Sequence, residues 1–397
     1  MRDGAAPPGL EDRARTADIQ YIGSTTSTAS PPATAAITPV NFGAAKEFSL
    51  GIEEELLLVD PVTHAIDHGA VGVLARLSVP PAEGHVHPDA YASHIELSSP
   101  VCENAGEAMA AVGALRARLR SAGATTIGAG LHPSGALGDV VIFPAERYRR
   151  IEAEMRVLQK RTPTCALHVH VGMPDAETAI RACNALRRHL PLLQALAANS
   201  PFWHGRDSGL ASARAQAFRA FPGSDIPSAF DSFADYAERV QEQADAADLP
   251  DYTFLWWDIR PHPRLGTVEV RAMDSQARLS TVGGLAALVQ ALAGRGAEER
   301  GPWEAREVLM QSSFRAARDG LDATLWHHGA LRPVREIARE SLEQARPYAR
   351  DLGSDDALDE VERLLAEGNG ATRQRRACAR GGLPAVLADL VAETARI

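Results

Sequence analysis

Apolar positions recur along this chain with two periods. Short runs alternate residue by residue, as strands do, and longer runs repeat every three or four residues, as helices do. The first clear strand is Phe48-Ser-Leu-Gly-Ile-Glu-Glu-Glu-Leu-Leu-Leu-Val59, ended by the turn signal Asp60-Pro61. Further on, 107–122 reads as a helix with arginines on one side, 127–130 as a strand, and 176–198 as one long helix of good helix formers. After about residue 275 nearly everything has helical period: 282–292, 303–319, 334–352, 356–367 and 383–394. This mixture predicts an α/β or α+β protein with the late helices packed against a sheet. Residues 1–45 break the pattern: they are rich in Ala, Pro, Thr, Ser and Gly, and read as a disordered extension. The expected organisation is that extension, a sheet domain with helices over 46–300, and a helical part over 301–397 packed on the same domain.

Within the strand runs, polar residues fall at alternate positions. A strand places residues i and i+2 on one face. In Leu167-His168-Val169-His170-Val171-Gly172 two imidazoles therefore share a face, and in Val268-Glu269-Val270-Arg271-Ala272 a carboxylate and a guanidinium do. Glu53 and Glu55 point together while Glu54 points away, and Glu96 stands between Ile95 and Leu97. Each element alone has a bland reading as a surface pair or a structural ion pair. Four strands with one ionisable face are harder to treat as independent accidents, because an unpaired charge loses several kcal/mol on burial, on the order of the cost of breaking a buried pair. A binding site explains them together. Glu53, Glu55, Glu96 and Glu269 supply hard oxygen ligands for magnesium or manganese, His168 can ligate or donate, and Arg271 offers a fork for phosphate.

Composition narrows the partners. The chain has 397 residues, 45% of them hydrophobic and 23% charged, with a net charge of -10, which is the profile of a globular protein and disfavours nucleic acid. Nothing approaches the ~18 uncharged apolar residues a membrane helix needs, and no secretory or transit segment is legible, so the expected location is cytoplasmic. Cys102, Cys165, Cys183 and Cys378 show no CxxC spacing, which argues against a disulfide framework or a zinc module and for buried free thiols.

At these residues the sequence resembles the glutamate–cysteine ligase type 2 family, specifically its YbdK-type carboxylate–amine ligases. The likeness runs from about Phe48 onward through Gly51-Ile-Glu-Glu-Glu-Leu, Gly130-Leu-His-Pro, His168-Val-His-Val-Gly, Asn199-Ser-Pro-Phe-Trp-His-Gly-Arg-Asp, the run from Trp257 to Asp274, and Ala371-Thr-Arg-Gln-Arg. The resemblance implies an α+β, glutamine-synthetase-like catalytic domain, a curved antiparallel sheet forming a funnel with helices outside. It carries the family's metal carboxylates onto Glu53, Glu55, Glu96 and Glu269, its strand histidine onto His168, its phosphate-binding arginine onto Arg271, and an acidic position at the metal or the incoming amine onto Asp89. Ala92 stands where related ligases often have another acidic residue, and Leu131 replaces a threonine. The implied activity is an ATP- and magnesium-dependent ligation of an amino-acid carboxylate to an amine through an acyl phosphate, by a homo-oligomer.

Arg206 and Arg260 are candidates for holding a substrate carboxylate, the alternative being ion pairs with Asp207 and Asp258. His132 either lines the pocket or caps a turn. Two other readings stay open from the residues: a hydrolase that binds a transition metal through His168 and His170, and a nucleotide-binding relative without turnover.

Overall fold

A computed structural model describes residues 37–397. Its strands, in chain order, are β1 (Leu50–Leu58), β2 (His85–Pro88), β3 (His94–Ser98), β4 (Thr126–Ile127), β5 (Ala166–Gly172), β6 (Phe202–Trp203), β7 (Arg206–Asp207), β8 (Ile259–His262), β9 (Thr267–Asp274), β10 (Thr324–His327) and β11 (Ala330–Pro333). The main sheet is antiparallel throughout, in the order β2-β3-β1-β5-β9-β8, with β4 paired to the end of β1. It is an open sheet, not a closed barrel, with β2 and β8 as its edges.

Alternation divides this sheet into two faces. One carries Leu50, Ile52, Leu56 and Leu58 from β1, Val169 and Val171 from β5, and Val268 and Val270 from β9, all buried in the core. Helices cover this face, chiefly Ala105–Ser121, Ala176–Arg187 and Leu279–Glu298. The last is built of Ala, Gly, Leu and Val on every side and is buried along most of its length, so neighbouring helices can approach it all round. Glu54 breaks the apolar face, and Arg116 of the helix Ala105–Ser121 answers it. The Arg116 guanidinium binds both Glu54 oxygens, one of them through Nε at 2.8 Å, and donates from Nη1 to the Ala277 carbonyl and from Nη2 to the Gln276 carbonyl at 2.7 Å each. One buried ion pair thus ties β1, its covering helix and the chain leading into Leu279–Glu298.

Several elements differ from the sequence expectation. The single helix expected over 176–198 is two, Ala176–Arg187 and Leu190–Ala197, because Pro191 has no N–H to donate and instead opens the second. The strand expected over 127–130 shrinks to Thr126–Ile127, and the late helical region contains the β10–β11 hairpin. Residues 1–36 of the expected extension lie outside the described residues. Residues 37–45, assigned to it by composition, pack on the domain: the Asn41 N–H donates to Pro263 and the Gly43 N–H to Met173. Asn41 sits against Gly266 (φ 67°) in the β8–β9 turn, where a Cβ would lie 2.1 Å from the Asn41 carbonyl oxygen, so the contact requires glycine. No helix among the described residues is long and apolar enough to cross a membrane.

Arg116→Met leaves the Glu54 carboxylate buried without its partner and is expected to lower unfolding free energy in urea by about 3–5 kcal/mol. The double variant Glu54→Leu/Arg116→Met should recover most of that loss. A single variant as stable as the parent would show that the pair does not hold these elements.

Candidate active site

The opposite sheet face gathers the ionisable residues. Register sets Glu55 of β1 across from Glu96 of β3, Glu53 across from His168 of β5, His170 across from Glu269 of β9, and Glu269 across from Arg260 of β8. Arg271 follows Glu269 by two residues and so shares the face. The alternation in four separate segments therefore places Glu53, Glu55, Glu96, His168, His170, Glu269 and Arg271 together.

Glu269 is the centre of this array. Its side chain is 1% exposed, with one oxygen accepting from Arg260 Nε at 2.5 Å and the other bound by Arg271 Nη1. Burial works to raise its pKa, but the two guanidinium groups win and hold it well below the usual carboxylate range. Glu53 behaves likewise: burial is outweighed by the charge of His170 and by its close contacts with both histidines, with Oε2 3.3 Å from His168 Nδ1 and 3.5 Å from His170 Nε2. His170 is pushed up, its burial overcome by Glu53 and Glu269. Burial and the adjacent Arg271 charge push His168 down to about 4, so it is neutral and free to donate or ligate.

Glu55 and Glu96 form the other half. Burial and the Asp89 charge push Glu55 up to about 8, even though its Oε2 accepts from the Ala166 N–H at 2.7 Å. Burial and the carboxylates of Glu53, Asp89 and Glu55 push Glu96 well up. Asp89 stays low: burial is outweighed by His94, whose Nδ1 lies 3.3 Å from Asp89 Oδ2. Carboxylates this close cannot all ionise without added positive charge.

The donor set fits a hard divalent cation. His170 Nε2 is buried without a hydrogen-bond partner, 3.9 Å from Glu269 Oε1, and together with a Glu53 oxygen these ligand atoms lie within 4.8 Å of one another. His170 bridges Glu53 and Glu269, while His168, favoured from the sequence, lies between Glu53 at 3.3 Å and Glu55 at 3.8 Å. Both stand on the same face.

Arg260 and His132 have protein partners here, and Arg206 stands apart from the main sheet. Arg260 donates through Nε to Glu269 and through Nη1 to the Leu255 carbonyl at 2.9 Å, and does not pair with Asp258, which binds Arg219. Arg206 is exposed on the separate β6–β7 hairpin, and its expected partner Asp207 pairs with Arg375 instead, at 2.9 Å. His132 is buried, with Nε2 donating to the His64 carbonyl at 2.9 Å and Nδ1 accepting from the Ser134 N–H, the turn-capping alternative. The motifs around it are structural as well. Asp274 accepts from the Asn199 N–H and from the Ser200 and Ser212 hydroxyls, and Gly130 packs so close that a Cβ would lie 2.6 Å from the Asp274 carboxyl carbon.

Sequence reasoning passed over His94, His262 and Arg214. The first two were legible, because His94-x-Glu96 and Arg260-x-His262 show the same i, i+2 spacing. Arg214, buried on the helix Ala213–Phe218, has no such signal: its charge reaches Glu55 and Asp274 only through the tertiary fold.

The sequence profile of the glutamate–cysteine ligase family 2 matches residues 49–389. A Rubrobacter xylanophilus protein provisionally named glutamate–cysteine ligase 2-3 is 40% identical over 358 residues, spanning 89% of this chain and 98% of the relative. A second protein of that organism, provisionally named glutamate–cysteine ligase 2-1, is 37% identical over 355 residues, spanning 87% and 94%. Among solved structures, a glutamate–cysteine ligase of Francisella tularensis in complex with AMP is similar at a TM-score of 0.66 and 14% identity, over 89% of this chain and 90% of that one. A bifunctional glutathione synthetase of Pasteurella multocida is similar at a TM-score of 0.61 and 15% identity, over 88% of this chain and 52% of that one. At such identities the likeness is one of fold.

In the folded chain Glu55 keeps its proton up to about pH 8, whereas an ordinary glutamate releases it near 4.5. Between those values the folded state binds more protons than the unfolded one, so its stability falls as pH rises and the loss is complete above about 8. The melting temperature of EDTA-treated protein is expected to fall across this window more steeply than that of Glu55→Gln. Identical pH profiles for the two proteins would show that Glu55 ionises normally.

Proposed function

This chain belongs to the glutamate–cysteine ligase family 2, and we propose that it joins an amino-acid carboxylate to an amine at the expense of ATP, through an acyl phosphate. The observation that carries this reading is the buried sheet face on which Glu53, His170 and Glu269 converge beside Arg271. Such a face suits a polyanionic substrate brought to a second anion, since ATP and a carboxylate repel each other until their charge is offset.

Magnesium or manganese, held by Glu53, Glu269 and His170 once the cation displaces the imidazole's proton, with Glu55 and Glu96 alongside, would neutralise phosphate charge and polarise the transferred group. Arg271, steadied on one side by Glu269, keeps the rest of its guanidinium for the phosphoryl oxygens as charge spreads over them; its Nε is buried without a protein partner. His168, neutral and 3.5 Å from Arg271, orients that guanidinium and can donate to a phosphate oxygen. In the first step a carboxylate oxygen of the substrate bonds to the γ-phosphorus and the bond to the bridging oxygen breaks, releasing ADP. In the second, the amine nitrogen bonds to the acyl carbon and phosphate leaves. Asp89, kept ionised by His94, holds the ammonium of the incoming amine and takes the proton it loses. Glutamate and cysteine are the substrates that the family's name points to.

ADP formation in the presence of magnesium should depend on an amino-acid carboxylate and rise further with an amine. Arg271→Ala and Glu53→Gln are each expected to lower kcat by about 100-fold or more, and EDTA to abolish turnover. Turnover that survives EDTA would overturn the reading, while ATP binding without turnover on any substrate pair would favour a nucleotide-binding relative that has lost catalysis.

A further inference from the structure

Beside the carboxylates lies a second cluster of different chemistry. Cys165, just before β5, places Sγ 3.3 Å from His94 Nε2, and His94 Nδ1 faces Asp89 Oδ2 at 3.3 Å. A Glu55 oxygen completes the group: it, His94 and Cys165 each offer one ligand atom, all within 4.8 Å of one another. Cys165 and His94 are fully buried, and the Tyr91 ring meets the His94 ring edge-on at 4.9 Å, which fixes the imidazole plane.

We propose that Glu55, His94 and Cys165 bind a zinc-class, thiophilic divalent cation, and that this cation competes with the hard cation for Glu55. Three features carry the inference. Zinc holds its ligands at about 2.0–2.3 Å in a tetrahedron, which puts neighbouring ligand atoms about 3.3–3.8 Å apart, and the thiol and imidazole already stand at the near end of that range. A histidine that ligates a metal through one nitrogen nearly always gives its other N–H to a carboxylate, a backbone carbonyl or a water, and Asp89 occupies that position on His94. Asp89, ionised behind His94, supplies negative charge, while the thiol is a soft ligand that magnesium does not favour and zinc does. On binding, the Cys165 S–H bond and the Glu55 carboxyl O–H bond break, sulfur–metal and oxygen–metal bonds form, and both protons leave to solvent.

The cation reaches the cluster from the polar sheet face, since the Glu55 and Asp89 side chains are 11% and 23% exposed where Cys165 is closed off. Occupation draws Glu55 away from the magnesium set. Zinc therefore inhibits without touching Arg271 or Glu269. Binding at this cluster stands by itself; the inhibition rests on the ligase reading.

Cobalt(II) titrated into the full chain tests the site, because cobalt bound to a thiolate shows a sulfur-to-metal charge-transfer band in the near ultraviolet. The wild-type protein is expected to develop this band with one equivalent, to lose it on adding zinc, and to lack it in Cys165→Ser and Cys165→Ala. Asp89→Asn should weaken zinc binding by about 10–100-fold, as removal of the carboxylate behind a ligating histidine does. Zinc should inhibit magnesium-dependent ADP formation in wild type at concentrations at least tenfold lower than in Cys165→Ala. No band in the folded wild-type protein, or a band that persists in both Cys165 variants, would overturn the site. A band with no turnover by any protein would uphold the site and count against the ligase reading, so the two fail separately.

Discussion

A carboxylate buried on the strand next to the sheet's β8 edge, Glu269, is the constraint around which the rest is arranged. Leaving it ionised and alone there would be costly, since a buried ion keeps a desolvation penalty of several kcal/mol even after the surroundings relax. The fold answers with Arg260 on the adjoining strand and Arg271 two residues along its own, both bonded to it. Those cations then require further anions, and Glu53 reaches the same histidine, His170, that Glu269 approaches. The polar face is thus a set of mutually dependent charges, each retained because its neighbours are present.

The opposite face makes the polar one tenable. An antiparallel sheet with one face committed to charge can be held only by burying the other against apolar helices. Here the helix Leu279–Glu298 takes the centre of that layer, with Gln290 inside it donating to the carbonyls of Phe48 and Glu103 and accepting from Ser354. The one charge on the apolar face, Glu54, is matched by Arg116 with further bonds to carbonyls on both sides of Ala277's N-terminal peptide. Specific polar contacts of this kind fix which helix covers which strand, where apolar packing alone would tolerate sliding.

The two halves of the polar face differ in how their charge is balanced. Around Glu269 and Glu53 the chain supplies its own cations, and both groups are ionised. Around Glu55 and Glu96 carboxylates outnumber nearby cations, and burial drives both toward the protonated form. That asymmetry distinguishes a region built to stay charged from one whose charge depends on what binds.

Much of this was legible without the tertiary structure. Alternation in four segments named Glu53, Glu55, Glu96, His168, Glu269 and Arg271 as residues of one face, and it set Glu54 on the other, because the two-residue period of a strand is a local property. The motifs also identified the family. What sequence order cannot carry is which strands adjoin and which residues meet across long separations. Only the sheet order put His170 beside both Glu53 and Glu269, turned Arg260 inward to Glu269, and left Arg206 on an exposed hairpin. Asp274, Gly130 and Asn199, prominent in the motifs, proved to be a packing node, since a motif records that residues belong together and not whether they hold each other or a ligand. Cys165 and His94, 71 residues apart, showed no metal spacing at all. Local periodicity decided which face each side chain takes, whereas the pairing of distant strands decided which charges share a site, because electrostatic partners are chosen by distance in space.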